Sequence, residues 1–425
     1  MTTAKEPRVT TAGPSSSWRY LYLVAAMRGV TFFGNIAAAT AIELSLQGRG
    51  YSGATVAGVL LAATMPPILL GPLSGRIVDK YPKAKVLAVA ATVQLVLGAG
   101  TLLTDRPVIW TMLILGISCG VAFAHPVFGS MPSQLMPRKD QPRAASISQM
   151  SAMAGMLSAP AVGALLASQF GTDGALWLNV VAFAFVVVGA LTLSRHPASR
   201  ASAKTDAAAA ADDSDARVAD GYSVWSDTAL RSLLAANGVL MLCASTINVF
   251  VVFFVRDTLD ASERMYGLVG SAWMAGLIPG ALLVSKVRIP MERILVASFG
   301  FVGLGILLTA AAPSAWWVLP FYFLGGLGNG AGATATHVLL NTYVPENHRG
   351  RAFAALGMVS NSGPSLGILL GGLFLAVADP RAGYLVAGLA VLIALAFVAR
   401  RVLAMGSPAA AAAAARKGDS DAGTE

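Results

Sequence analysis

The sequence predicts an all-α membrane protein with twelve transmembrane helices in two pseudo-symmetric six-helix bundles. Three observations predict this class: the composition, the long apolar blocks and the similarity between the two halves of the chain. Of the 425 residues, 56% are hydrophobic and only 12% are charged, whereas soluble proteins carry about 25% charged residues. Apolar blocks such as 86–103 and 175–193 approach the roughly 20 residues that a helix needs to cross a bilayer.

The apolar blocks fall into two groups of six, which divide the chain into five regions. We expect a cytoplasmic N-terminal tail 1–17, an N-terminal bundle 18–194, a cytoplasmic linker 195–228, a C-terminal bundle 229–401 and a cytoplasmic low-complexity tail 402–425. The linker is rich in Ala, Asp and Ser and contains no long apolar run, which is typical of disorder. Two predicted spans, 107–135 and 315–344, are longer than a bilayer requires, so we expect each to extend beyond it.

The basic residues predict the orientation of the chain. With the N-terminus inside, 24 of the 30 Lys and Arg residues fall in cytoplasmic segments, 5 fall in outer loops, and Arg28 lies within the first span. Cytoplasmic loops of membrane proteins carry an excess of Lys and Arg. Both termini are therefore predicted to be cytoplasmic, and the net charge of +9 reflects topology rather than binding to nucleic acid.

The second half of the chain repeats positions of the first. At an offset of 208 the identities include Pro137, Arg143, Gly155 and Gly163, which match Pro345, Arg351, Gly363 and Gly371. At an offset of 209, Gly29 matches Gly238 and Arg28 faces Asn237. Parallel repeats related by an axis along the membrane normal place a substrate site between the halves, near the midplane.

The end of the second span combines a glycine, an acid and several basic residues. They are Gly75, Asp79, Lys80, Lys83 and Lys85. An acid at a helix end can pair with basic side chains and with the positive N-terminus of a neighbouring helix. This segment resembles the signature loop of the major facilitator superfamily, Gly-x-x-x-Asp-Arg/Lys-x-Gly-x-Arg/Lys, with Pro82 in place of the second glycine.

The resemblance implies that this loop is a gate. In the family the acid contacts a helix of the other half, here the helix that begins near Ala352, and the contact closes the cytoplasmic side. Arg143 and Arg351 would be further members of the gate. The alternative for Lys83 is an ordinary cytoplasmic loop charge.

The resemblance extends over nearly the whole chain and is strongest to the exporter branch that contains enterobactin and macrolide efflux proteins. It implies two bundles that rock about a central cavity in the plasma membrane of a bacterium. It also implies export of a small amphiphilic molecule, such as a drug, antibiotic or siderophore, driven by inward proton movement.

The fifth and eleventh spans contain small residues around a proline. These positions are Gly155, Pro160 and Gly163 in the fifth span and Gly363, Pro364 and Gly367 in the eleventh. The first set is similar to the antiporter motif Gly-x-x-x-Gly-Pro-x-x-Gly-Gly, with Ala159 and Ala164 replacing two glycines. The alternative is general close packing of helices, which small residues permit.

Ionisable residues within the spans are scarce, and such residues tend to mark transport pathways. They are Arg28, Glu43, His125 and His337. Arg28, Asn35 and Glu43 fall within roughly 80° of one another on one helix face, which we expect to line the cavity opposite Asn237, Thr246 and Asn248.

We hypothesise that Glu43 is the protonatable carboxylate of an antiporter and that Arg28 tunes the cavity. The alternative is that Glu43, near the end of its span, only reaches the outer water. Exporters that this chain resembles often carry an acid directly after the glycine at Gly34, where this chain has Asn35. His125 and His337 are either packing residues or proton relays.

Several classes of function are disfavoured. The sequence has only four histidines, and its two cysteines each lie within an apolar block, so a metal site is not expected. No Gly-x-x-x-x-Gly-Lys-Ser/Thr motif supports the use of ATP. We therefore expect no cofactor, and as partners only a small-molecule substrate, protons and the lipid bilayer, with the protein a monomer. Two alternatives remain open: a proton-coupled importer of a sugar or other metabolite, and a membrane protein that senses or modifies lipid.

Overall fold

The computed structural model describes residues 14–137, 140–194, 228–287, 289–344 and 349–405. Twelve long α-helices occupy these ranges: α1 (Pro14–Gly48), α2 (Gly53–Lys80), α3 (Lys83–Thr101), α4 (Pro107–Leu135), α5 (Gln141–Phe170), α6 (Thr172–Ser194), α7 (Thr228–Phe253), α8 (Glu263–Lys286), α9 (Met291–Ala310), α10 (Ala315–Tyr343), α11 (Arg349–Phe374) and α12 (Pro380–Met405). A π-helical turn, Phe254–Thr258, extends α7. Nearly all of the predicted linker, most of the N-terminal tail and residues 406–425 lie outside the described residues.

The helices are long and apolar enough for a membrane. They range from 19 residues in α3 to 35 in α1, and ten of the described helices have the length and hydropathy of a membrane span. The two helices outside that set, α10 and α11, are rich in glycine and contain polar residues such as Asn329 and Ser362. The predicted all-helical, multi-pass membrane class is confirmed, whereas the number of crossings and their division into two bundles stay predictions.

The ends of the helices follow local sequence rules. Pro107 begins α4 and Pro380 begins α12, at positions where a missing backbone N–H removes no helical hydrogen bond. The Ser262 hydroxyl caps α8 by accepting from the backbone N–H of Met265. Gly171 separates α5 from α6 with a φ of 70°, which a residue with a side chain rarely adopts.

The helices pack in two sets. In the first set, α1 packs on α5 and α6, α2 packs on α4, and α3 packs on α4 and α6. In the second set, α7 packs on α11 and α12, α8 packs on α10, and α9 packs on α10 and α12. The two sets meet mainly where α5 packs on α8 and α2 packs on α11.

Matching glycines make the same contact in both sets. A Cβ on Gly155 of α5 would collide with the carbonyl oxygen of Gly29 in α1, and a Cβ on Gly363 of α11 would lie 3.2 Å from that of Gly238 in α7. These are the residues that the two sequence offsets align. The repeat in the sequence therefore corresponds to a repeated backbone-to-backbone packing of two helices.

The two sets are in contact at one end of the molecule. We call the end where α1 begins and α12 ends the terminal face, and the other end, at residues 48–53, the opposite face. Near the opposite face, Gly53 packs on Leu375 and Gly372 packs on Ala57. Toward the terminal face of the same two helices, a Cβ on Gly75 or Gly357 would meet no described atom within 4 Å outside its own helix. Helices α2 and α11 thus touch at the opposite face, and around Gly75 and Gly357 both have open space.

Candidate functional site

The Glu43 carboxyl makes a contact between the two sets near the opposite face. Glu43 lies in the last two turns of α1, and Tyr266 lies in the first turn of α8. The Tyr266 hydroxyl donates a hydrogen bond to Oε2 of Glu43. The one acid that the sequence analysis placed clearly within a span is therefore bound to a side chain of the other set.

Tyr266 belongs to a buried group of tyrosines that the sequence analysis did not predict. It lies in the same buried cluster as Tyr322 and Tyr384, whose hydroxyls are hydrogen-bonded to each other. The ring of Trp273 lies edge-on to that of Tyr322, with 5.7 Å between their centroids. Buried hydroxyls need partners, and here each tyrosine hydroxyl has one. A tyrosine within an apolar helix resembles core in the sequence, so the sequence carries little signal for its role.

Further polar contacts between the sets surround Glu43 at the opposite face. Gln47 of α1 donates through Nε2 to Oδ1 of Asp257 at 2.5 Å and accepts at Oε1 from Nε of Arg256 at 3.4 Å. Arg264 of α8 donates through Nε to the hydroxyl of Ser168 in α5 at 3.3 Å. Each of these contacts is at least partly open to solvent, so each contributes little by itself, but all of them close the same face.

The Arg28 guanidinium lies in a second polar group, entirely within the first set. It donates through Nη1 to the hydroxyl of Ser148 at 3.1 Å and through Nη2 to Oε1 of Gln149 at 2.9 Å. His125 of α4 stacks on Phe32 of α1 with 5.2 Å between ring centroids and lies within electrostatic range of Arg28. The structure therefore brings together two of the predicted pathway residues, Arg28 and His125.

The predicted pathway residues of the second set are more scattered. The Asn237 amide is buried and donates through Nδ2 to the hydroxyl of Ser360 in α11 at 2.9 Å. This contact directs Asn237 toward its own set rather than toward α1. Asn248 and His337 are exposed, and Asn35 of α1 is half-buried. The four residues therefore lie in different surroundings: Asn237 is buried, Asn35 is half-buried, and Asn248 and His337 are exposed.

The predicted gating residues lie at the terminal-face ends of α2, α3, α5 and α11. The Lys80 ammonium lies 5.9 Å from the centroid of the Tyr81 ring, and the Arg143 guanidinium lies 5.2 Å from that of Trp18. Lys83 is buried at the start of α3. The side chains of Asp79 and Arg351 lie outside the described residues, so the predicted gate contact stays a prediction.

The antiporter-like segment of α5 lies at the interface between the sets. The ring of Pro160 packs on Gly270 of α8, and a Cβ on Gly267 would lie 2.5 Å from the Pro160 carbonyl oxygen. The backbone N–H of Ala161 donates to the Ser271 hydroxyl at 3.2 Å. Gly163, by contrast, faces Ala37 of α1, and Gly367 faces Leu242 of α7. The motif thus combines packing within a set with contact between the sets.

A separate apolar cavity of about 400 Å³ lies between α2, α3 and α4, on the terminal-face side of the first set. Val89 and Val93, two of its lining residues, are exposed on the outside of the helices. Because this cavity belongs to the first set alone, it is distinct from the contact region between the sets.

Two known proteins resemble the chain over most of its length, and a third resembles about a third of it. Macrolide efflux protein A of Streptococcus pyogenes is 22% identical over 376 residues, which cover 84% of this chain and 90% of that protein. The puromycin resistance protein pur8 of Streptomyces alboniger is 31% identical over 152 residues, which cover 35% of this chain and 30% of that protein. A bacterial homologue of the human lysosomal transporter Spinster, solved in an inward-facing and unoccupied conformation, has a TM-score of 0.68 at 15% identity, covering 93% of this chain and 100% of that one.

A model of the Major Facilitator Superfamily matches residues 21–254 and 233–421. Members of this family carry small molecules across membranes, and the predicted resemblance to macrolide efflux proteins is confirmed. Because the two matches together span most of the sequence, the chain belongs to the major facilitator superfamily.

Proposed function

We propose that this protein is a secondary active transporter that exports small amphiphilic drugs from the cytoplasm of a bacterium by proton antiport. In this proposal all twelve helices cross the plasma membrane, the two sets are six-helix bundles, and the protein acts as a monomer. The excess of Lys and Arg on one side supports cytoplasmic termini. The terminal face is then cytoplasmic and the opposite face is the outer one.

The proposal takes the described conformation as open to the cytoplasm. It is supported by the contacts of Gly53 with Leu375 and of Gly372 with Ala57 near the outer face, and by the open space at Gly75 and Gly357 near the cytoplasmic face. A substrate enters between the bundles from the cytoplasm and leaves when the outer contacts separate. Asp79, with Arg143 and Arg351, then closes the cytoplasmic side.

The observation that carries the proposal is the hydrogen bond from Tyr266 to Glu43 between the two bundles. Opening the outer face separates α1 from α8, breaks this bond and exposes the carboxyl to outside water. A proton binds there. Closing the outer face returns the carboxyl to a site of low polarity, and burial costs less for a neutral carboxyl than for a charged one.

The same bond limits leakage of protons. After the proton leaves toward the cytoplasm, the Tyr266 hydroxyl donates to the carboxylate, and a hydrogen bond to a charged group is about twice as strong as a neutral one. The empty, deprotonated transporter is thus held with its outer face closed. Substrate binding is needed to separate the bundles, which couples export to proton entry.

The names of the relatives support drugs as substrates, since they are described as acting in macrolide efflux and puromycin resistance. The scarcity of polar side chains within the spans supports amphiphilic molecules rather than sugars, because a sugar site needs many hydrogen-bond partners.

The test is transport into everted membrane vesicles that contain the protein. A panel of drugs that includes both acids and bases is offered with and without an acidic vesicle lumen. We expect accumulation that requires the pH gradient and that a protonophore abolishes. Uptake only into right-side-out vesicles identifies an importer, and accumulation that is indifferent to the protonophore contradicts proton coupling.

A further inference from the structure

We infer that the chamber takes substrates that carry an anionic group, and that Arg28 with His125, Ser148 and Gln149 forms the subsite that receives this group. The inference deepens the proposed function and rests on its central chamber. It concerns the charge of the substrate, which the family does not specify.

The first observation is that the described partners of Arg28 are neutral. Ser148 and Gln149 accept two of its N–H groups, at 3.1 Å and 2.9 Å. A guanidinium has five N–H donors in a planar fork that matches a carboxylate or a phosphate. Donors beyond those two have no partner among the described residues, and Arg28 is half-buried, so part of it is accessible to a ligand.

The second observation is the absence of a counter-charge among the described side chains around Arg28. Its own helix carries Glu43, ~22 Å farther along the axis at about 1.5 Å per residue, and that carboxyl is bound to Tyr266. Helix α4 contributes the imidazole of His125, and α5 contributes Ser148 and Gln149. In α6, the only acid is Asp173, which is exposed in the first turn, at the opposite face.

The second set does not supply the missing charge either. Among the described residues of the second set, the buried acid is Glu292. It lies in the first turn of α9 and accepts a hydrogen bond from Tyr343 at 2.6 Å. Asn248 and His337 are polar and exposed but carry no negative charge. An unpaired cation within a membrane is costly, and a bound anion removes that cost.

The surroundings of Arg28 suit the apolar part of an amphiphile. Phe32 lies one turn farther along α1 and stacks on His125, so an aromatic pair borders the guanidinium. The imidazole adds an N–H donor to those of Arg28. Ser148 is fully buried and fixes one side of the guanidinium. A ring system with a carboxylate or phenolate therefore fits this subsite, whereas a cation would be repelled by Arg28.

The charge of the substrate also matters for the driving force. If one anion leaves the cell as one proton enters, two positive charges move inward. A membrane potential that is negative inside then drives export together with the pH gradient.

The test measures binding of two dyes with the same xanthene skeleton to the purified full-length protein. Fluorescein is an anion and rhodamine 6G is a cation. We expect the wild type to bind fluorescein about tenfold more tightly than rhodamine 6G, as an unpaired arginine favours an anion. R28Q should lose this preference while still binding rhodamine 6G, which shows that the variant is folded. R28K should still prefer fluorescein but bind it more weakly, because lysine keeps the positive charge without the planar set of N–H donors of the guanidinium.

The matched control is R19Q, which removes an exposed arginine of the same helix and should leave the preference unchanged. Three results overturn the inference: the wild type prefers rhodamine 6G, the wild type binds no fluorescein, or R28Q keeps the preference for fluorescein. If binding follows the expectation and everted vesicles do not export, the proposed function fails and the subsite stands. If vesicles export with a proton gradient and the preference for fluorescein is absent, the subsite fails and the proposed function stands.

Discussion

Two charged residues of α1, Glu43 and Arg28, have opposite relations to the rest of the molecule. Glu43 is bound to Tyr266 of the other set, whereas Arg28 is bound to Ser148 and Gln149 of its own set. A rocking motion of the two sets, as proposed above, would break the first contact and leave the second intact. A charge held between the sets can therefore control the conformation, and a charge held within one set keeps its geometry for binding in every conformation.

The largest expected effect follows from removing the ionisable group between the sets. Glu43→Gln keeps the size of the side chain but cannot take up a proton. We expect proton-driven export in everted vesicles to fall by about 100-fold, which lies within the usual range of coupling free energies. Exchange of substrate across the membrane without a gradient should persist, because the chamber and Arg28 are unchanged.

Asp105→Asn is the matched control for this variant. Asp105 is an exposed acid that pairs with Arg49 at 3.4 Å outside the contact region, and an exposed pair contributes little. Equal losses of export in both variants would contradict a special role for Glu43, and full export by Glu43→Gln would contradict it outright.

A smaller effect is expected when the carboxyl is kept and its partner is removed. Tyr266→Phe deletes one hydrogen bond to a charged group, which is worth about 1.5–3 kcal/mol. The outer-open population should therefore rise by about tenfold or more. Spin labels at the exposed residues Ser52 and Val377, in a background free of native cysteines, report this change as an increased distance between α2 and the segment after α11.

Tyr343→Phe provides the comparison. The Tyr343 hydroxyl donates to Oε1 of Glu292 at 2.6 Å, so it forms the same chemical contact within the second set. Its loss should leave the distance between the labels unchanged. A similar shift in both variants would show that any loss of a tyrosine–glutamate bond loosens the protein, and the comparison between the two regions would fail.

Close packing within a set should matter for stability rather than for conformation. A Cβ on Gly163 would lie 2.5 Å from the carbonyl oxygen of Ala37, whereas one on Gly357 would meet nothing within 4 Å. Overpacking costs about 1–3 kcal/mol, partly offset by the higher helix propensity of alanine. We expect Gly163→Ala to lower the unfolding temperature in detergent and Gly357→Ala to leave it unchanged or raise it. The opposite order would show that α1 and α5 are not held by this contact.

Much of the fold was predictable from the sequence because long apolar blocks determine where helices lie. The predicted span 107–135 coincides with α4, and the predicted span 315–344 differs from α10 by one residue. The helix predicted to begin near Ala352 begins three residues earlier, at Arg349, where α11 starts. Helix ends depend on turns and caps rather than on hydropathy, so polar residues at the start of a helix shift the boundary.

The candidate site was predictable in part. Glu43 and Arg28 stand out because ions within a span are rare. Tyr266 does not stand out, since its role comes from packing between residues 223 positions apart in the chain. The amide of Asn237 was expected to face α1, but it donates to Ser360, since a polar group within a helix bundle takes the nearest partner.

The smallest expected effect tests whether the polar contacts around Glu43 act with it. Gln47→Ala removes the contacts with Asp257 at 2.5 Å and with Arg256 at 3.4 Å. Water replaces hydrogen bonds that are partly exposed, so the net loss should be about 0.5 kcal/mol, at the low end for a hydrogen bond. The outer-open population measured with the same spin labels should then rise only about twofold. Gln169→Ala, at an exposed position of the same face, should cause no change. A shift as large as that of Tyr266→Phe would mean that the outer face is held by its rim of polar contacts, and that the Glu43–Tyr266 bond is only one member of it.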